Sequence, residues 1–227
     1  MKFRLFALVV IVSLFLIASS QLIAELISIR PINQIERNEE KQIESTDLSV
    51  EKLKSRLRTS NSLNSYNSKY IFFEARILLN STSLTEKDFG YITSLLDQVI
   101  SQSPTWHLPH CYKVIAMNKV YSSQPSIITL NYLQQALNNA LQLSLYEVET
   151  QRLLLPIIFE NWEILEKENK ILAEKMAVHA LETNNARKLH VLLSIIEHNL
   201  MEEFLPLIND KWQRARIMKE LTLNDKG

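Results

Sequence analysis

Glycine occurs only twice in the 227 residues, at Gly90 and at the chain end Gly227. A phosphate-cradling loop needs several glycines so that backbone N–H groups can approach the anion. A nucleophile elbow needs Gly-x-Ser-x-Gly, and tight two-residue hairpins favour glycine as well. Nucleotide-binding α/β folds, hydrolases of that type and β-rich folds are therefore not expected. Cysteine occurs once, at Cys111, so an internal disulfide is excluded. Charge of either sign is not in excess: 25 basic and 25 acidic residues give a net charge of +0. With no basic run interleaved with aromatics, no nucleic-acid partner is expected. A chain poor in glycine and rich in Leu, Ile, Asn, Glu and Lys reads as all-α.

The first twenty-four residues carry the strongest positive signal. Lys2 and Arg4 precede an apolar run that meets no charge until Glu25. At about 1.5 Å per residue, Leu5 to Ala24 makes a helix roughly 30 Å long, the thickness of a bilayer's hydrocarbon core. Ala18-Ser19-Ser20 has the small residues a signal peptidase uses. However, apolar residues continue through Leu22, Ile23, Leu26, Ile27 and Ile29, which favours a retained anchor over a cleaved signal. Lys2 and Arg4 keep the short N-terminal flank in the cytoplasm, with Arg30 and Arg37 opposing weakly. The expected arrangement is a single pass through a bacterial inner membrane with the remainder in the periplasm. No cysteine follows the apolar run, so a lipoprotein anchor is not expected.

Three regions are expected: an anchor over residues 1–30, a polar linker with a short helix over 31–65, and a helical-repeat domain over 66–227. Pro31 is expected to end the first helix. Leu48 to Leu57 reads as a short helix and Arg58 to Ser65 as loop, because Ser and Asn side chains compete for backbone hydrogen bonds. From Tyr66 onward apolar residues recur at helical spacing. The stripes are Tyr70, Phe73 and Ile77; Phe89, Ile92, Leu96 and Val99; Leu130, Leu133, Leu137, Ala140 and Leu141; Leu189, Leu192, Leu193 and Ile196; and Leu205, Ile208, Trp212 and Ala215. Breaks fall at Asn80–Ser83, Gln102–Pro104, Ser122–Pro125, near Ser144-Leu145, and at Asn184-Asn185. Short breaks predict antiparallel hairpins, about seven to nine helices in all.

A weak internal repeat is also present. Leu96 to Pro104 aligns with Leu137 to Leu145, and Ala140 to Ser144 with Ala180 to Asn184. Ile92, Leu96, Val99 and Pro104 resemble the second helix of the tetratricopeptide family, as do Leu133, Leu137, Ala140 and Leu145, and the apolar positions Ala173, Ala177 and Ala180. The family's first-helix signature is absent and the period exceeds 34 residues. The resemblance implies a short tetratricopeptide-like α-solenoid or bundle. The anchor, Tyr70-Ile71-Phe72-Phe73-Glu74-Ala75-Arg76, Ala140 to Glu147, an expected Trp-containing helix from Pro156 to Leu165 and Trp212 to Arg216 are together similar to single-span envelope proteins of the VpsP-like type, linked to bacterial polysaccharide biosynthesis. That resemblance implies an accessory role in polysaccharide assembly or export.

Four groups of residues suggest chemistry. Trp106-His107-Leu108-Pro109-His110-Cys111 contains possible zinc or copper ligands, but Pro109 is expected to disturb the spacing, and a loop-to-helix junction is the simpler reading. His190 and His198 lie two helical turns apart, with His179 on the preceding helix; scattered surface histidines explain them as well as a metal or titrating site does. Glu160, Glu163, Glu166 and Glu168 around Trp162 resemble a glycosidase carboxylate pair or, more simply, a solvated helix face. Trp106, Trp162 and Trp212 with Tyr112, Tyr121, Tyr132 and Tyr146 suit either a sugar or peptide groove or ordinary packing. Asn80-Ser81-Thr82 is a formal glycosylation sequon. No residue is assigned a catalytic, cofactor-binding or metal-ligating role, and no cofactor is expected. The chain reads as a membrane-anchored, non-enzymatic scaffold or adaptor with protein partners in the cell envelope. The alternatives are a membrane-tethered carbohydrate-active enzyme and a structural subunit of a secretion or division complex.

Overall fold

The computed structural model describes residues 2–41, 47–80, 84–123, 127–183, 185–208 and 214–215. Among these, ten α-helices and two short 3-10 turns form the whole regular structure, with no strand. The chain divides into two compact units, Met1–Pro104 and Thr105–Gly227.

In the first unit, α1 runs from Lys2 to Lys41. It therefore does not stop at Pro31. The proline deprives the Ile27 carbonyl of its helical donor, a cost of about 3 kcal/mol in a helix interior. The same turns bury Ala24, Ser28, Pro31 and Ile35 against α2 and α3, and this packing holds the helix together through the proline. Residues Leu8–Asn33 are long and apolar enough to cross a membrane, and the large side chains from Leu8 to Ile17 are exposed.

Helix α2 spans Asp47–Leu63 and runs on through the Ser- and Asn-rich segment that reads as loop in the sequence. The competing side chains satisfy themselves on the helix's own carbonyls: Thr59 Oγ1 donates to Ser55 O at 2.9 Å and Ser62 Oγ to Thr59 O at 2.8 Å. Leu53, Leu57 and Ser60 form its buried edge.

Helix α3, Ser68–Leu79, is capped by Asn67, whose Oδ1 accepts from the Lys69 N–H at 3.1 Å. Every residue from Tyr70 to Ile77 is buried, because α1, α2 and α4 surround it. A helix with no solvent face must pair its polar residues. Glu74 does so by accepting from Arg58 Nε at 2.6 Å and from the Tyr91 hydroxyl at 3.0 Å. The Arg76 guanidinium lies over the Phe72 and Phe73 rings, 5.4 and 4.9 Å from their centroids. Helix α4, Glu86–Gln102, starts with a reciprocal capping box between Thr85 and Asp88. Hydrogen bonds from the Thr85 hydroxyl and backbone N–H hold the Asp88 carboxyl below its usual range.

The second unit contains α5 (His107–Ser123), α6 (Ile127–Ser144), α7 (Val148–Glu160), α8 (Lys167–Thr183), α9 (Asn185–Glu197) and the single turn α10 (Met201–Phe204), with 3-10 turns at Trp162–Ile164 and Leu205–Leu207. Helix α5 packs on α6 and α7, α6 on α8, and α7 on α8 and α9. Phe159, Trp162 and Phe204 form an aromatic knot, with Phe204 5.2 and 4.9 Å from the other two ring centroids. Helix α9 closes on Asn199 in the left-handed region (φ 57°), with Leu200 N bonded to Ile195 O at 2.9 Å and Asn199 N to Ile196 O at 3.0 Å.

Two stripes differ from the sequence reading. Among the described side chains of α9, Val191, Leu192 and Ile195 are buried while Leu193 and Ile196 are exposed, and the Leu189 side chain lies outside the described residues. The segment from Leu205 is not one amphipathic helix: Pro206 lies in a 3-10 turn that gives way to extended backbone at Ile208. Trp212 lies outside the described residues.

Candidate functional site

Among the described residues, a groove of about 410 Å³ runs along α8. It is lined by Tyr146, Glu174, Lys175, Val178, His179, Glu182 and Leu207. Positions 174, 175, 178 and 182 share one helical face by their three- and four-residue spacing. Opposite them, Ala173, Met176, Ala177, Ala180 and Leu181 are buried in the core. The small alanines let the neighbouring helices approach α8 closely, and its charged side is left to line the groove.

His179 sits at the groove wall. The Gln151 side-chain N–H₂ group lies 3.4 Å from Leu145 O and 3.0 Å from His179 Nδ1. The bond to a carbonyl sets the amide's orientation, which turns its N–H₂ group toward His179 Nδ1. The exposed Tyr146 ring stacks at a tilt on His179, with centroids 4.8 Å apart. The groove thus offers an apolar floor at Val178 and Leu207, an aromatic wall, two carboxylates and one ammonium.

The other candidate residues lie elsewhere in the two units. Pro109 falls in the first turn of α5, where the backbone N–H groups have no helical acceptor anyway, so the helix is regular and His107 to Cys111 all lie on it. Cys111 points inward and donates to Thr150 Oγ1 at 3.5 Å, which in turn lies 2.8 Å from Ser144 Oγ. Burial pushes its thiol up to about 11, so it is neutral and a poor metal ligand. His190 is exposed, and His198 Nδ1 lies 2.8 Å from Ser194 O. Among the described residues, no three His, Cys, Asp or Glu side chains are grouped to hold a metal ion.

Trp162 is buried against Phe204, whereas Glu160, Glu163, Glu166 and Glu168 are exposed. The Lys170 ammonium lies over the Trp162 ring, 5.3 Å from its centroid. Glu160 accepts from Asn118 Nδ2 at 3.2 Å, and Asn118 Oδ1 accepts from Asn161 Nδ2 at 2.8 Å. Tyr112 is buried, Tyr121 half-buried and Tyr132 exposed. Asn80 is the exposed C-terminal cap of α3; Ser81 and Thr82 lie outside the described residues.

A buried amide chain has no counterpart among the sequence expectations. Gln134 donates to Ile164 O at 2.9 Å and accepts from Glu166 N at 3.2 Å. Asn169 Nδ2 donates to Gln134 Oε1 at 2.8 Å and to Gln134 O at 3.0 Å, and Asn169 Oδ1 accepts from Asn138 Nδ2 at 3.1 Å. This chain sets where α8, and with it the groove, begins. Its signal in the sequence is the four-residue spacing of Gln134, Asn138 and Gln142, which places three amides on one edge of α6. No protein-family model, curated protein or solved structure matches the chain.

Proposed function

We propose that the chain is a membrane-anchored, non-enzymatic adaptor that presents a helical interaction surface outside the cytoplasm, in the bacterial periplasm. The observation that carries this reading is α1 itself. One continuous helix is apolar and laterally exposed over its first half, then becomes a packed part of a helical unit. The helix runs without a break through Ala18-Ser19-Ser20, and that continuity supports a retained anchor.

A tetratricopeptide-like stacking of hairpins is part of the proposal. Ile92, Leu96 and Val99 on α4, Leu133, Leu137 and Ala140 on α6, and Ala173, Ala177 and Ala180 on α8 are all buried at matching positions. In the second unit, contacts of α5 with α7 and of α6 with α8 are those that two stacked hairpins make. The α8 groove suits a partner segment with an apolar side chain for Val178 and Leu207 and a cation for Glu174 and Glu182. Envelope polysaccharide assembly or export is the setting implied by the resemblance to VpsP-like proteins.

The test is site-specific photocrosslinking in cells from Val178 and Tyr146 of the full chain. A discrete partner band that disappears with Glu182→Lys supports the adaptor. Absence of any band, together with loss of cellular function in Glu160→Gln or Glu163→Gln, would transfer support to the tethered-enzyme reading. The genes neighbouring this one offer a second check: glycosyltransferases, a polymerase and a flippase would support the polysaccharide setting.

A further inference from the structure

The two sides of α1 leave the apolar surface at different heights. From Phe6 to Ile17 the large side chains are exposed around the helix. Beyond that, the side bearing Ala24, Ser28, Pro31 and Ile35 is buried in the first unit. The opposite side carries Leu22, Ile23, Leu26 and Ile29, between 48% and 62% exposed. At 3.6 residues per turn, Leu22, Leu26 and Ile29 fall on one line, facing away from Ala24, Ser28 and Pro31. The stripe ends at exposed Arg30 and Asn33. Apart from Glu25, which lies at its flank and is bonded to Asn67, the free side therefore stays apolar about five residues further than the packed side, roughly 7.5 Å along the axis.

The first unit has its own edge at this level. Asn67 Nδ2 donates to Glu25 Oε1 at 2.9 Å, which sets the α2–α3 loop beside the turn where the packed side begins. Ser68 Oγ lies 3.3 Å from Ser103 Oγ, bringing the end of α4 to the same place. From this edge Tyr66 projects, 92% exposed.

We propose that the first unit rests on the lipid headgroup layer through the α2–α3 loop. In this arrangement α1 is tilted, its Leu22–Ile29 stripe lies in lipid, Arg30 is at the phosphates and Tyr66 is among the headgroups. A helix about 11 Å across whose two sides emerge roughly 7.5 Å apart is tilted by roughly 35°, within the range that single spans adopt. Lipid is favoured over a protein partner because only the uncharged Ser19, Ser20 and Gln21 separate the stripe from the all-round apolar surface below it, and Ser20 Oγ is bonded back to Ile17 O at 2.8 Å. Tyrosine and arginine are also the residues that membrane–water interfaces collect. The inference rests on the reading of α1 as a span.

The experiment uses the full chain with Cys111→Ala, reconstituted in phosphatidylcholine–phosphatidylglycerol vesicles. Single cysteines replace Leu14, Leu26, Tyr66 or Glu86 and carry an environment-sensitive fluorophore, while spin-labelled lipids quench at headgroup, shallow-acyl or deep-acyl depth. The expected result is that most fluorescence is lost to deep quenchers at Leu14, to shallow ones at Leu26 and to headgroup ones at Tyr66, with none lost at Glu86, at the other end of α4. If Leu14 is quenched but Tyr66 responds no more than Glu86, the resting surface is overturned and the span stands. If Leu14 itself is unquenched, the span is overturned and the inference goes with it.

Discussion

Asn67 and Glu25, 42 positions apart, are joined by a 2.9 Å hydrogen bond from the Asn67 amide to the Glu25 carboxylate. The same asparagine uses its other side-chain atom to cap α3, accepting from the Lys69 N–H. One residue thus starts the most buried helix of the first unit and ties it to the apolar helix. The two roles are separable. Asn67→Ala removes both and is expected to cost about 1–2 kcal/mol. Asn67→Asp keeps the cap but sets two carboxylates together. Adding Glu25→Gln to Asn67→Asp restores a donor–acceptor pair and is expected to recover most of the loss. Thermal melts of the four proteins in one detergent check this; a double variant no more stable than Asn67→Asp would contradict it.

The second unit has a comparable point at Asn169, buried and bonded to both Gln134 and Asn138. Asn169→Leu would leave the Gln134 carbonyl and the Asn138 amide short of a partner inside the protein. The expected loss is about 1–3 kcal/mol in denaturant unfolding. Because the amide chain sets the start of α8, crosslinking from Val178 should weaken in this variant even below the unfolding midpoint.

Periodicity made α3, α4 and α6 legible, because long apolar stripes at three- and four-residue spacing have few other solutions. The repeat pointed to Ala173, Ala177 and Ala180 on α8, which are buried. Periodicity failed where a local rule was overruled by packing. Pro31 and the Thr59–Ser62 stretch look like breaks to any rule about residue type, but α1 and α2 bury their edges against each other there. Leu193 and Ile196 show another limit. Where every position from 191 to 196 except Ser194 is apolar, the stripe has no unique phase, and the neighbouring helices choose it. The groove was not legible, since it depends on Tyr146 and Leu207 converging on α8 from two different turns. The parts of it on α8 were visible only as a charged helix face.

The contrast between the two sides of α8 yields a further expectation. Ala177 is fully buried among closely approaching helices, while Val178 lines the groove. Ala177→Leu must push its neighbours apart, at about 1–3 kcal/mol. Glu182→Lys, on the exposed face, should shift stability by no more than about 0.5 kcal/mol yet remove partner capture. Measuring melting and crosslinking on both variants separates the scaffold from the surface. A Glu182→Lys protein that unfolds as readily as Ala177→Leu would mean that this face is structural.

Cys111 links burial to pH. Its thiol is desolvated, which disfavours the thiolate and raises its ionisation from 9.0 to about 11, against smaller opposing effects of the hydrogen bonds to Thr150 and Ser144. An acid whose ionisation is raised by folding favours the folded state fully below its unfolded value. That contribution is lost as the pH climbs from about 9 to about 11. Its full size is roughly 2–3 kcal/mol. The expected measurement is therefore a steeper fall in stability across this window for the natural chain than for Cys111→Ala, the difference isolating Cys111 from the tyrosines that also titrate. A thiol-specific reagent at pH 8 should leave the folded chain unmodified and react with one equivalent on unfolding. Parallel pH profiles for the two proteins, or ready labelling of the folded one, would show that the thiol is not held in the core as the Thr150 contact requires.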